Sequence, residues 1–232
     1  MWIYMFLSCS KPTILIEGDA ESSGDPTPFI NACEAQDASA LLLKDAVKQA
    51  SCQGAWDIIS KAERIDITNV DISTLDIFSG MTNLKIFTAY ENGIEDISPL
   101  RQLDRMEELY LVSNRITDIS PLIHLRQLQV LRLDGNQIKD ISILPKLKRL
   151  NRIGLDSNQI EDFTPIAELD AVQALNTNYN PVDPKRCPID AEKPKQLKKY
   201  CKRMHKHYCK GWKEKNPTCE QPPDICIPYC EE

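Results

Sequence analysis

The chain has 232 residues, of which 42% are hydrophobic and 27% are charged, as expected for a soluble globular protein of one domain, with or without appendages. Its formal net charge of -6 argues against a dedicated nucleic-acid-binding protein. Aromatic residues make up only 6%, which is few for a conventional compact core and compatible with an array that stacks aliphatic layers.

The first nine residues, MWIYMFLSC, form a short apolar run that ends at Ser8 and Cys9. The run resembles the end of a bacterial lipoprotein signal, in which the cysteine is lipidated and becomes the first residue of the mature protein. It is too short to span a membrane. We therefore predict a signal-like segment over residues 1–9 with lipidation at Cys9. The alternative is a plain apolar N-terminus.

Two segments separate this run from the middle of the chain. Residues 10–30 are rich in Ser, Pro, Gly and acids and show little apolar periodicity after Ile16, which predicts a tether. Residues 31–61 are predicted to form a helical N-terminal cap, because apolar residues around Leu43 lie on one helical face. A break is expected at Gly54. Cys33 and Cys52 flank the first predicted helix and are placed to tie it down.

A 22-residue repeat fills residues 62–182 and is the strongest signal in the chain. Each unit combines a short strand, an asparagine and a return segment; the clearest early unit carries Leu84, Phe87, Ala89, Asn92, Ile94, Ile97, Leu100 and Leu103. Apolar residues two apart face the same way from a strand, so stacked units predict a parallel sheet. The asparagines are expected to bond backbone groups and to be structural. Ser before Pro in the return segments predicts an N-cap for one short helical turn.

The unit from Met106 to Leu125 fits the pattern L-x-x-L-x-L-x-x-N-x-I-x-D-I-x-P-L-x-x-L. This pattern resembles the 22-residue leucine-rich repeats of internalins and phosphatase regulators, and the helical segment before it is similar to internalin caps. The resemblance implies an α/β leucine-rich-repeat solenoid, a right-handed curved coil with a parallel sheet on its concave side. The helical N-terminal cap and a Cys-rich C-terminal segment would close its two ends. The family implies protein recognition, often by secreted or surface-attached bacterial proteins.

The strand residues that alternate with the buried ones are the predicted binding surface. Tyr90, Tyr110 and Val112 are expected to cluster on adjacent layers, with two arginines stacked beside them and two aspartates alongside. Tyr and Arg are typical anchors of protein interfaces. The alternative is that these side chains only cover the sheet. The candidate partner-binding residues are Tyr90, Tyr110, Val112, Arg132, Asp134, Arg152 and Asp156.

Residues 183–232 are predicted to form a Cys-rich, basic C-terminal cap that contains an amphipathic helix around Leu197 and Tyr200. Cys201, His205 and Cys209 are four apart on that helix, a spacing able to bind zinc with His207 as a possible fourth ligand. Disulfides are preferred and no metal is predicted, because the cysteines of the chain are confined to its two ends. The disulfide candidates are Cys33, Cys52, Cys187, Cys201, Cys209, Cys219, Cys226 and Cys230, and their pairing stays open. The basic face of the helix is either solvated or able to bind an anionic lipid or polysaccharide.

The sequence predicts a non-catalytic protein that binds a macromolecule through its repeat face, without a cofactor. Only three histidines occur, and no phosphate loop, zincin motif or nucleophile elbow is present. We expect an extracytoplasmic, membrane-anchored lipoprotein that is monomeric, has a protein partner and does not bind nucleic acid. Two alternatives stay open. One is a structural envelope protein whose basic tail contacts an anionic cell-surface polymer, and the other is an intracellular adaptor.

Overall fold

The computed structural model describes residues 13–18, 20–21, 24–183, 187 and 195–215. In this part of the chain, seven strands form one sheet in the order of the sequence. Six of them are parallel, and residues that pair on neighbouring strands of these six are always 22 positions apart in the sequence. Phe87 thus lies beside Leu109, and Leu109 lies beside Leu131. These six strands are β2 (Arg64–Thr68), β3 (Ile86–Thr88), β4 (Glu108–Tyr110), β5 (Val130–Arg132), β6 (Arg152–Gly154) and β7 (Ala174–Asn176).

The repeat core has the composition that the sequence predicts. All seven apolar positions of the unit that begins at Leu84 are buried, and those of the unit that begins at Ala62 are buried as well. Each layer therefore removes one ring of apolar side chains from water, and the next layer covers it. The predicted leucine-rich-repeat solenoid with a parallel sheet is confirmed.

The asparagines bond backbone groups, as predicted, and the structure shows that these bonds link neighbouring units. Asn136 accepts a hydrogen bond from the backbone N–H of Ile116 at 3.0 Å and donates to the carbonyl oxygens of Leu111 and Leu133, both at 2.9 Å. Asn114 bonds the preceding unit in the same way. These amides satisfy backbone groups where the chain leaves the sheet, so their role is structural.

The return segments are short 3-10 helices at Asp76–Phe78, Ser98–Gln102, Ser120–His124, Leu144–Lys146 and Thr164–Glu168. The predicted serine N-cap is wrong, because Ser98 is already the first helical residue. The N-cap position is held by Ile97, whose side chain makes no capping hydrogen bond. Instead, Oδ1 of Asp96 accepts the backbone N–H of Ser98 at 2.7 Å, and Oδ2 accepts the Ser98 hydroxyl at 2.9 Å. Asp118, Asp140 and Asp162 accept the equivalent N–H groups in the later units, whereas Thr74 supplies the oxygen for the segment Asp76–Phe78.

The N-terminal part of the chain differs from the predicted tether over residues 10–30. Thr13–Glu17 forms strand β1, which pairs antiparallel with β2, and its Ile14 and Ile16 pack against the core. Farther along, the side-chain amide of Asn83 donates to the carbonyl oxygen of Glu21 at 2.8 Å. Without β1, the first parallel strand would leave its backbone edge and the end of the apolar core open to water. The segment therefore closes the solenoid.

Three helices complete this end of the molecule: α1 (Thr27–Glu34), α2 (Ala38–Ala46) and α3 (Cys52–Ile59). The break comes before Ser51 rather than at Gly54, because the hydroxyl of Ser51 accepts the N–H of Gly54 and caps α3 ahead of the glycine. A disulfide joins Cys33 in α1 to Cys52 in α3. Phe29 and Trp56 pack together beneath it.

The C-terminal end of the sheet is covered by helix α4 (Lys195–Lys215). Leu197 and Cys201 of this helix are buried, and a disulfide joins Cys201 to Cys187. The ring of Tyr200 meets the ring of Phe163 edge-on at 5.9 Å between centroids. No helix in the described ranges combines the length and the apolar character that crossing a membrane requires.

Candidate binding surface

The outer face is the side of β2–β7 whose side chains alternate with the buried ones, and strand register arranges it in rows. The middle row runs across the sheet in the order Asp66, Thr88, Tyr110, Arg132, Gly154 and Asn176. A second row beside it runs through Arg64, Ile86, Glu108, Val130, Arg152 and Ala174. Tyr110 and Arg132 are therefore direct neighbours on adjacent strands.

Two tyrosines meet on this face, as the sequence predicts. The rings of Tyr90 and Tyr110 lie edge to face, 6.3 Å apart at 83°. The hydroxyl of Tyr110 donates to Oε2 of Glu108 at 2.7 Å, which fixes the ring along its own strand. Partial burial, together with this hydrogen bond and the charge of Glu108, raises the pKa of Tyr110 to about 12. The phenol therefore stays protonated and keeps its bond to Glu108 well above neutral pH.

Arg132 is held beside the tyrosines by an ion pair. Its Nε donates to Oδ2 of Asp134 at 2.7 Å, and the Asp134 side chain is only 12% exposed. Burial alone would lower the pKa of Arg132, but the hydrogen bond and charge of Asp134 outweigh it and raise that pKa. The guanidinium is thus a fixed cation, 39% exposed, rather than a freely rotating one.

Gly154 makes room for this ion pair, a role that sequence reasoning missed. A Cβ at position 154 would collide with Nε of Arg132 and with Oδ2 of Asp134. Because Gly154 sits beside Arg132 in the middle row, the arginine side chain lies over the next strand. A glycine in a strand marks a close approach of this kind, which was the available signal.

The predicted stacking of Arg132 on Arg152 is wrong. Residues in register across this sheet are 22 apart, as Tyr110 and Arg132 are, whereas these two arginines are 20 apart. Arg152 accordingly pairs with Val130 in the second row and is exposed. Of the two predicted arginines, Arg132 is therefore a fixed cation in the middle row and Arg152 an exposed cation in the second row.

The carboxylates of Asp134 and Asp156 form hydrogen bonds within the protein. Oδ1 of Asp134 accepts the backbone N–H of Asp156 at 3.1 Å, and Oδ1 of Asp156 accepts that of Asn178 at 2.6 Å. Burial, supported by the nearby charge of Asp134, raises the pKa of Asp156. We assign both carboxylates to positioning roles. Val112 is half-buried on the outer face beyond Tyr110.

The cysteine predictions divide into those that the structure describes and those that it does not. Cys33, Cys52, Cys187 and Cys201 form two disulfides, and Cys209 is disulfide-bonded too. Disulfides at Cys201 and Cys209 remove two thiolates from the zinc alternative, and the described residues contain no cluster suited to a metal. The remaining predicted positions lie outside the described residues; they are Cys9, the His207 side chain, Cys219, Cys226 and Cys230.

Comparison with known proteins identifies the repeats. Residues 82–124 and 126–168 match the family model described as Leucine Rich repeats (2 copies). The chain is similar to the solved structure of an internalin (inlF) from Listeria monocytogenes, with 26% identity, a TM-score of 0.56, and coverage of 61% of this chain and 42% of that one. No curated protein sequence gives a match.

Two further solved structures are similar at lower scores. A leucine-rich-repeat protein from Leptospira interrogans is 28% identical over 50% of this chain and 30% of its own, with a TM-score of 0.47. An internalin C2 from Listeria monocytogenes is 22% identical over 71% of this chain and 92% of its own, with a TM-score of 0.39. The chain thus spans less than half the length of the first two of these structures.

Proposed function

We propose that this chain, whose residues 82–124 and 126–168 match leucine-rich repeats and which is similar to an internalin, is a non-catalytic recognition module that binds a protein partner on its outer face. Leucine-rich-repeat proteins are generally recognition modules rather than enzymes. A solenoid presents an extended sheet surface to a partner without rearranging its core. The proposed contact centre is the Tyr–Arg patch, defined as Tyr90, Tyr110, Val112 and Arg132.

The observation that carries this proposal is the fixed placement of Tyr110 and Arg132 on adjacent strands. The Tyr110 hydroxyl is hydrogen-bonded to Glu108 on its own strand. The Arg132 guanidinium is hydrogen-bonded to Asp134, which lies just beyond the end of its strand. Anchors that are already ordered lose little conformational entropy on binding. Tyr and Arg are also the residues that most often dominate binding energy at protein interfaces. The patch is therefore preorganised for a partner.

Arg152 has a different part in the proposal. It is exposed and lies one row away from Arg132. Its charge is therefore expected to affect the rate of association with a partner more than the affinity. Asp134 and Asp156 are proposed to position the face rather than to touch the partner.

We further propose that the protein works outside the cytoplasm, anchored through lipid on Cys9. Disulfides at both ends of the described chain support an oxidising compartment, and they count against the intracellular-adaptor alternative.

Site-specific photo-cross-linking tests the binding face. A benzophenone amino acid at Val112 reports on the outer face, and the same amino acid at His124, which is exposed on a return segment, reports on the opposite side. In intact cells that produce the protein, we expect a discrete protein adduct from position 112 and none from position 124. Adducts from position 124 alone, or equal adducts from both, would place the partner elsewhere.

A second candidate function is favoured by the exposed lysines and arginines of α4. Lys199, Lys202, Arg203 and Lys206 are all exposed on this helix. A basic helix of this kind would let a structural envelope protein touch an anionic surface polymer. Reversal of charge at Arg132 would leave such binding intact, whereas it should weaken binding to a partner on the outer face by at least about tenfold.

A further inference from the structure

A pocket lies beside the C-terminal end of the outer face, where the core-side positions Leu175 and Thr177 of the last repeat meet α4. Its volume is about 300 Å³. Its walls are contributed by two elements far apart in sequence, namely Leu175, Thr177 and Asn178 on one side and Lys199, Tyr200 and Arg203 on the other. The pocket is therefore a feature of the folded chain that no local sequence motif reveals.

The α4 wall of the pocket is fixed to the repeats. The Tyr200 ring packs edge-on against Phe163 of a repeat, and the next residue, Cys201, is buried and bonded to Cys187 in the segment that follows the repeats. On the opposite wall, Thr177 is only 4% exposed. The packing of Tyr200 on Phe163 and the burial of Thr177 hold both walls in place, so a ligand does not have to order the site.

The charge of the pocket is positive. Cζ of Arg203 lies 5.6 Å from the centre of the Tyr200 ring, and Lys199 sits one turn earlier on the same side of α4. Neither cation has an ion pair with a described acidic residue. The acidic group that faces this region is Asp156, whose carboxylate is already bonded to the backbone and side-chain N–H groups of Asn178. Burial, with a contribution from the charge of Asp156, raises the pKa of Tyr200, so its hydroxyl remains a hydrogen-bond donor.

We infer that this pocket binds a carboxylate side chain of the protein partner, with Arg203 and Lys199 as its cationic groups. The inference rests on the proposed function, because it supplies a second contact for a partner already lying on the outer face. Arg203 offers planar paired donors that match a carboxylate, and Lys199 adds a point charge. Leu175 and the Tyr200 ring supply apolar walls against which the methylene groups of a glutamate pack. The site is thus specific for an acidic peptide rather than for charge alone.

The test uses the full-length oxidised protein and a fluorescein-labelled octaglutamate peptide, with octaglutamine as the neutral control, at about 0.15 M salt. Fluorescence anisotropy should show saturable binding of the glutamate peptide only. Arg203→Glu and Lys199→Glu should each weaken it about tenfold, because each removes a charge-assisted contact and adds repulsion. Lys202→Glu is the matched control, since Lys202 is exposed on the same helix and does not line the pocket, and it should weaken binding by no more than about twofold.

The outcomes separate the pocket from the proposed function. Binding of octaglutamate that survives Arg132→Glu but not Arg203→Glu supports the pocket, whether or not a partner on the outer face is found. Equal loss from Lys202→Glu and Arg203→Glu would overturn the inference, because the whole basic helix would then be the attractant. Absence of octaglutamate binding, alongside binding of heparin or of phosphatidylglycerol vesicles, would overturn it too and would favour an anionic polymer or a lipid surface.

Discussion

Nε of Arg132 donates to Oδ2 of Asp134 at 2.7 Å, and this ion pair lies over Gly154 of the next strand. Three residues from two neighbouring units thus determine where one guanidinium points. Asp134 in turn accepts the N–H of Asp156, so the ion pair is joined to the backbone of the next unit. The most defined cation of the outer face is therefore set by residues that need not touch the partner themselves.

Gly154→Ala should displace the Arg132 side chain, since the new Cβ would collide with both members of the ion pair. We expect partner affinity to fall about tenfold, close to the effect of Arg132→Ala, with the circular dichroism spectrum unchanged. Isothermal titration calorimetry with the partner identified by cross-linking would measure this affinity. The matched control is Gly54→Ala in α3, where a Cβ meets only the side chains of Gln49 and Ser51 and no residue of the outer face. Unchanged affinity in Gly154→Ala would show that the position of Arg132 does not matter.

Asn136→Ala should destabilise the solenoid. The asparagine is 6% exposed, and its loss leaves the N–H of Ile116 and the carbonyl oxygen of Leu111 buried without these bonds. We expect the free energy of unfolding in urea to fall by about 2–4 kcal/mol. Gln137→Ala, at the exposed next residue, should change it by less than about 0.5 kcal/mol. Similar values for both variants would mean that the asparagine ladder is not a principal support of the fold.

Tyr110 should titrate late. Its pKa is raised from 10.0 to about 12, first by burial and then by its bond to Glu108. Because this pKa is raised in the folded state, the associated stability is present below pH 10 and is lost as the pH rises towards 12. The difference in ultraviolet absorbance between the parent chain and Tyr110→Phe should therefore titrate near pH 12. A difference that titrates at the ordinary tyrosine value would contradict the contact with Glu108.

The anchoring proposal predicts a specific mass. The protein extracted from membranes should carry a lipid adduct on Cys9 and should take up no alkylating agent without a reductant. Intact mass spectrometry before and after alkylation measures both properties. A chain without lipid and with reactive thiols would contradict the extracytoplasmic proposal and would revive the intracellular adaptor.

The sequence predicts the repeat core because its evidence is redundant. Leu109, Leu131 and Ile153 are equivalent positions 22 residues apart, so the assignment of one unit is supported by the same pattern in the next. Strand β1, TILIE, contains strand-forming residues but is missed because it is a single short run without a repeated counterpart and is followed by a segment rich in Ser, Pro, Gly and acids. Its formation depends on the backbone edge that β2 offers, a tertiary effect that local composition does not encode.

The candidate surface is predicted less completely, for a geometric reason. Strand alternation identifies Tyr110 and Arg132 as outward-facing, and their neighbouring positions follow from the repeat. Their orientation depends on the hydrogen bond from Tyr110 to Glu108 and on the space that Gly154 leaves for Arg132. Both features are visible only once side-chain distances are known. The pocket beside Tyr200 depends on how α4 docks, which the repeat pattern does not specify.

The affinity of the cross-linked partner for the double variant Arg132→Glu/Arg152→Glu tests the central claim most directly. Its control is Arg101→Glu/Arg126→Glu, which makes the same charge change at two exposed positions away from the outer face. Binding through the Tyr–Arg patch predicts a loss of at least about thirtyfold for the first variant and little change for the second. Equal affinity in both variants, with circular dichroism showing both folded, would contradict recognition on the outer face.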